Sequence, residues 1–136
     1  MKTALKIIIV IYIILAAKLF AAEYFFQNEE YHRAYKLQPK NTQYLNAKGR
    51  YYENRAARTG ITAQQVRENL EKSEKYRSQA IKGSPTQAIY YASYGWLLGN
   101  LGRHGDAVSY YEKALTLGRP GSRRLRRMYE QYLERK

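Results

Sequence analysis

Tyr91-Ala92-Ser93-Tyr94-Gly95-Trp96-Leu97-Leu98-Gly99-Asn100-Leu101-Gly102-Arg103-His104-Gly105-Asp106-Ala107-Val108-Ser109-Tyr110-Tyr111-Glu112-Lys113-Ala114-Leu115-Thr116-Leu117-Gly118-Arg119-Pro120 decides how this chain folds. Apolar residues recur at helical spacing on either side of Gly102-Arg103-His104-Gly105, so the stretch predicts two helices, 86–101 and 105–117, joined by a tight turn. A connection this short makes the two helices antiparallel. Gly95 in the first and Ala107 in the second are small, which lets the axes approach closely, and Tyr111 fills the space beside Ala114. Pro120 closes the unit.

Working outward, the same element returns. Tyr31-His32-Arg33-Ala34 followed by Pro39 matches Tyr111-Glu112-Lys113-Ala114 followed by Pro120, and Gln79-Ala80-Ile81 before Pro85 is a weaker copy. Each break is followed by a helix with a glycine at mid-length, Gly49 after Pro39 and Gly95 after Pro85. Further breaks at Thr59-Gly60 and Gly118–Gly121 leave helices over 42–58, 62–82 and 122–135, and a helix over 24–37 that continues an apolar N-terminal run. Thr62 with Gln65 forms a capping box at one helix start. After Ala22 no alternating Val/Ile run suggests a strand. The fold class is all-α.

At Tyr91, Tyr94, Gly95, Leu98, Gly102, Ala107, Tyr111, Ala114 and Pro120 the chain resembles the tetratricopeptide repeat family. A repeat-free helical bundle would need the same small and large residues to coincide by chance. The resemblance covers about 22–120. The unit over 42–85 departs from the pattern: Leu45, Gly49, Tyr52 and Ala80 fit, but Ser73 and Arg77 stand for an alanine and an aromatic. That unit is also about twelve residues longer than the family's period of roughly 34. What the resemblance implies is a short α-solenoid of antiparallel helix pairs, with units near 23–41, 42–85 and 86–120. Residues 121–136 then supply the capping helix such arrays need, with Leu125, Met128, Tyr129, Tyr132 and Leu133 expected on its inner face.

The N-terminus reads differently. After the basic Met1–Lys6, apolar residues fill Ile7–Ala17 and resume beyond Lys18 to Ala22. From Ala4 to Ala22 this is about 19 residues, close to a bilayer span. Lys18 lies near one end, where its stem can carry the charge to the head groups. A cleaved signal peptide would want small residues at alternate positions before the cut, and Ala16–Ala22 offers no clean triplet. A buried core helix would not be apolar on every face. Residues 1–22 are therefore expected to form an uncleaved signal-anchor, membrane-embedded through 4–22, ahead of a helical domain over 23–136. The short basic tail places that domain outside the cytoplasm, in the periplasm if the source is Gram-negative.

Chemistry is sparse. There is no cysteine, and His32 and His104 stand alone, each expected as a solvated surface histidine. Asp106, at a helix start, is the one aspartate, and Glu29-Glu30 point to different faces. Neither a metal set nor a catalytic pair nor a phosphate loop is present, so no enzyme, no metal and no cofactor are expected. The resemblance implies protein partners lying along the first helix of each pair. On this sequence that names Gln43, Asn46 and Arg50 from one unit with Trp96 and Asn100 from the next. Trp96 either projects into that groove or packs in a helix seam. The clamp for a C-terminal carboxylate that some members carry needs several Asn and Lys residues at set positions. Only fragments of it stand here.

The charge is +13, from 24 Lys and Arg against 11 acids. Arg119, Arg123, Arg126 and Arg127, with Arg124, Arg135 and Lys136, make the last helix basic. Such a face suits acidic protein surfaces or anionic lipid, or stays merely solvated. Nucleic acid is disfavoured for a domain held outside the cytoplasm. The sequence thus predicts a non-enzymatic scaffold or accessory subunit of a membrane or envelope complex. The alternative is a basic module for nucleic acid or anionic lipid surfaces, whose binding salt would abolish.

Overall fold

The computed structural model describes residues 2–119 and 121–135, with the side chains of Lys2 and Thr3 excepted. The closing Pro120 of the last unit and the terminal Lys136 lie outside the described residues. Among those described, every regular element is helical: α1 (Lys2–Gln27), α2 (Tyr31–Leu37), α3 (Thr42–Ala56), α4 (Ala63–Gly83), α5 (Ala88–Asn100), α6 (His104–Leu117) and α7 (Arg123–Glu134). Consecutive helices pack as the pairs α1/α2, α3/α4 and α5/α6, with α7 across the end of the last pair.

The expected helix over 24–37 is two elements. α1 runs through the apolar segment to Gln27 and stops, and α2 folds back on it. The stop is a Schellman motif: the Glu30 N–H donates to Phe25 O at 2.8 Å and the Glu29 N–H to Phe26 O at 3.1 Å. Glu29 takes the left-handed position, with φ of 60°. The motif recurs after α5, where Arg103 N–H donates to Leu98 O at 2.9 Å and Gly102 N–H to Gly99 O at 3.0 Å, with φ of 74° at Gly102. Glycine announces that second stop in the sequence. Glutamate conceals the first.

The α5/α6 pair forms the main core, with Leu97, Leu98, Ala107, Tyr111 and Ala114 buried. Gly95 is where the backbones meet. A Cβ there would lie 3.0 Å from Ala107 O and 3.1 Å from the Tyr111 ring. α7 covers this core with Leu125, Met128, Tyr129 and Tyr132, and Tyr111 stacks on Tyr129 and Tyr132 at 5.4 and 5.2 Å between centroids. Leu133, expected on that inner face, is 47% exposed. One residue past Tyr132, the 100° helical rotation carries it off the seam.

The α3/α4 pair repeats the geometry with polar atoms. Gly49 faces Ser73 O and Arg77, whose Cγ would lie 2.7 Å from an added Cβ. Arg77, 4% exposed, is held by Glu53 through two contacts, Nη2 to Oε2 at 2.8 Å and Nε to Oε1. Ser73 donates to the same carboxylate at 2.8 Å. The extra length of this unit goes chiefly into α4, 21 residues against 14 in α6, while α3 exceeds α5 by only two residues, 15 against 13. The capping box at Thr62 and Gln65 is formed in both directions, at 2.9 and 3.2 Å.

Ala22 of α1, Ala34 of α2 and Tyr44 of α3 form a third cluster with Phe25, Phe26 and Leu37, and Tyr44 donates to Glu23 Oε2 at 3.1 Å. The last turns of α1 therefore act as the first helix of a pair, and the apolar segment leads into the array without a break. Upstream, Leu5 and the apolar side chains from Ile7 to Leu15 are all about half exposed or more.

Candidate functional site: a groove between the first helices of the pairs

α3 and α5 lie side by side as the first helices of successive pairs and wall a cleft of about 590 Å³. Helical spacing places Gln43, Asn46, Ala47 and Arg50 of α3 on it, opposite Ile89 and Ser93 of α5. Phe26 closes one end from α1 and Arg124 the other from α7. Asn41 caps α3 by accepting from the Gln43 and Tyr44 N–H groups, which fixes the start of this wall.

No acid stands among the described residues lining the cleft. Arg77 reaches it from behind and donates to Asn46 Oδ1 at 2.9 Å, but Glu53 offsets its charge. Arg50 and Arg124 form no ion pair among the described residues, so the cleft carries net positive charge amid amide and hydroxyl groups. Arg50 makes one long contact, to Tyr31 Oη at 3.5 Å.

Gln43, Asn46 and Arg50 thus converge on one cavity. Trp96 and Asn100 lie farther along the same face of α5, outside it. Trp96 is half-buried against the core, and the Arg135 guanidinium stacks 4.7 Å from its ring. Asn100 is exposed at the end of α5. Arg119, Arg123, Arg126 and Arg127 are all exposed; helical spacing puts Arg123, Arg126 and Arg127 of α7 on the face away from Leu125 and Tyr132, whereas Arg119 precedes the helix. Arg124 turns instead into the groove, as the second residue of α7, where Gln43 is the second residue of α3. That shared register was present in the sequence, but a lone capping helix does not invite alignment with the helices before it.

Both histidines are exposed, which fits the expectation of solvated side chains. His104 opens α6 rather than lying in a turn, and its Nδ1 is 2.8 Å from Tyr132 Oη. His32 is exposed at the rim of a second cleft, of about 500 Å³, with Glu29, Tyr52 and Arg55. Lys48 lies in that cleft, 4% exposed, its ammonium 3.8 Å from the Tyr35 ring centroid and 4.5 Å from that of Tyr76. Burial pushes its pKa down, aided by Lys36 and Lys75 and opposed by Tyr52 and Tyr35. On the other side, Tyr94 donates to Glu74 at 3.0 Å and Arg103 bridges Glu74 and Asp106 at 2.8 and 2.9 Å, which locks α4 to the α5–α6 turn. Among the described residues no three His, Asp or Glu side chains gather at metal-binding distance.

Neither a family model nor a curated protein matches the chain. Among solved structures, the TPR domain of Arabidopsis OM64 superposes with a TM-score of 0.62 over 90% of this chain and 96% of that one, at 13% identity. This is a tetratricopeptide fold. The resemblance carried by Tyr91–Ala114 holds at the level of architecture.

Proposed function

We propose that this tetratricopeptide protein is a non-enzymatic scaffold, anchored in a membrane by α1, whose α3/α5 groove holds an extended, acid-bearing segment of another protein. The observation that carries this reading is the groove itself. It is walled by the helices that line ligand grooves in this fold, and Arg50 and Arg124 supply positive charge without a local carboxylate. The carboxylate clamp is no part of this reading, because only fragments of its Asn and Lys pattern stand in the sequence. With two full pairs and a short first one, the array is near the minimum for independent stability, which suits a permanently associated subunit.

α1 supports the anchor. Ala4–Gln27 is long and apolar enough to cross a bilayer. Because Phe26 of the same helix closes the groove, a captured partner would be held at the membrane surface. Placement of the array outside the cytoplasm rests on flanking charge alone. Maleimide labelling of Ser122→Cys in intact cells tests it.

Photo-crosslinking from a benzoylphenylalanine at Gln43, in native membranes, tests the groove. A discrete product is expected that is lost when Arg50 and Arg124 become glutamate. The same product from a convex position such as Lys113, or indifference to the charge reversals, would overturn the reading. The exposed Arg123, Arg126 and Arg127 favour a second reading, an electrostatic surface for anionic lipid or nucleic acid. In that case contact collapses with added salt and is insensitive to Arg50.

A further inference from the structure

The α2–α3 turn folds back along α1 well before α1 ends. Leu37, Gln38, Pro39, Lys40 and Asn41 meet Leu15, Lys18 and Leu19 around a cleft of about 610 Å³. An adjoining cleft on the other flank of the turn shares Leu19, Gln38 and Asn41, so the turn straddles the helix there. From Leu15 to the end of α1 at Gln27 is about 18 Å of helix.

That geometry limits how the array sits on a bilayer. Between Lys6 and Lys18 the helix rises only about 18 Å, against a hydrocarbon thickness of about 30 Å. Both lysines must therefore extend outward to reach the head groups, and the cleft beside Lys18 falls at the boundary of acyl chains and head groups. Its interior is apolar, from Leu15, Leu19, Leu37 and Pro39. Its charged lining residues are Lys18 and Lys40, with no acid among the described lining residues. An apolar slot with two cations, opening at that depth, matches a molecule with an acyl chain and an anionic phosphate.

We infer that this cleft is a seat for one anionic phospholipid, its chain against Leu15, Leu19, Leu37 and Pro39 and its phosphate held by Lys18 and Lys40. The inference rests on the anchor reading of α1. Positive charge on both sides of the slot selects an anionic head group over a zwitterionic one, each lysine near the surface contributing about a factor of five.

The chain has no cysteine, so Leu37→Cys accepts a bimane fluorophore at one place in the full-length protein. The labelled protein is reconstituted into phosphatidylcholine vesicles carrying a small fraction of acyl-chain spin-labelled phosphatidylglycerol or, separately, phosphatidylcholine. Quenching by the phosphatidylglycerol probe should exceed that by the phosphatidylcholine probe, at equal concentration, by about 25-fold in apparent affinity. Lys18→Gln with Lys40→Gln should bring the two curves together. Gln38→Cys provides a second label site should Leu37→Cys lower the melting temperature. Equal quenching by both probes in the unsubstituted background overturns the lipid seat, as does a preference that survives removal of both lysines. Vesicle flotation of the unlabelled chain separates the two ideas. A chain that floats but shows no lipid preference sinks the seat alone, whereas one that does not float sinks the anchor and the seat together.

Discussion

In the α5/α6 hairpin a glycine, Gly95, meets Ala107 and Tyr111. In α3/α4 the matching glycine, Gly49, meets Ser73 and Arg77. Both pairs reach close approach by the same backbone device, yet one seam is filled by a tyrosine ring and the other by a guanidinium, a hydroxyl and the Glu53 carboxylate. An apolar seam tolerates small changes in shape at modest cost. An ionic one is stable only while both partners are present, because either charge alone is buried without compensation. The difference teaches that a repeat's geometry can be kept while its chemistry is inverted, and that the two halves of the array should fail in different ways.

The sharpest break is Glu53→Ala, which leaves Arg77 buried and unpaired and should cost about 3–5 kcal/mol, read as a drop in midpoint by urea titration in detergent. Glu53→Leu with Arg77→Met, by contrast, should restore most of that stability, since a matched apolar pair offsets the lost ion pair. If the single change were harmless, the polar seam would not be structural.

Gly95→Ala comes next. Its methyl would press on the Ala107 carbonyl and the Tyr111 ring, neither free to move, at a cost of about 1–3 kcal/mol in the same titration. The two Schellman stops give a change of opposite sign: Glu29→Gly should stabilise by about 1 kcal/mol, by relieving a side chain held at positive φ, whereas Gly102→Glu should destabilise by a similar amount. Thermal melting monitored by circular dichroism distinguishes them.

The smallest effect concerns tyrosine. Burial pushes the Tyr111 hydroxyl well above its usual 10.0, and burial together with the hydrogen bond to Glu74 does the same at Tyr94. Since the unfolded chain ionises near pH 10 and the folded one later, this stabilisation is complete below pH 10 and is lost as pH climbs beyond it. Lys48 works in the opposite sense, with a folded pKa below 10.5, so its contribution improves as pH rises toward that value. Among the described residues the Tyr111 hydroxyl has no hydrogen-bond partner. Tyr111→Phe should therefore be neutral or stabilising by about 0.5–1 kcal/mol at neutral pH, and should flatten the alkaline limb of a melting-temperature profile. A steeper limb in the variant would contradict the burial of this group.

The periodicity of Tyr91–Leu117, the capping box at Thr62 and Gln65, and the small residues at Gly49, Gly95 and Ala107 are local or short-range signals, so the helix order and the pairing of neighbours could be read from the chain directly. The apolar run from Ala4 was equally plain. The break at Asn28–Glu30 was not, because a glutamate occupies a position that glycine usually marks. Gln43, Asn46 and Arg50 converge because they share one face of α3, which their spacing already expressed. Arg124 joins them only through the stacking of α7 on the last pair, and Trp96 is taken up by Arg135, just past the end of that same helix.

By itself the sequence determined an all-helical array with an apolar leading helix, because helix formation and capping depend on residues within a turn or two of each other. Only the tertiary structure decided that Arg77 finds Glu53, that α1 doubles as the first helix of the array, and that the 37–41 turn lies against Leu15 and Lys18. Those contacts join residues far apart in the chain, and their partners are chosen by how whole helices stack rather than by any local pattern.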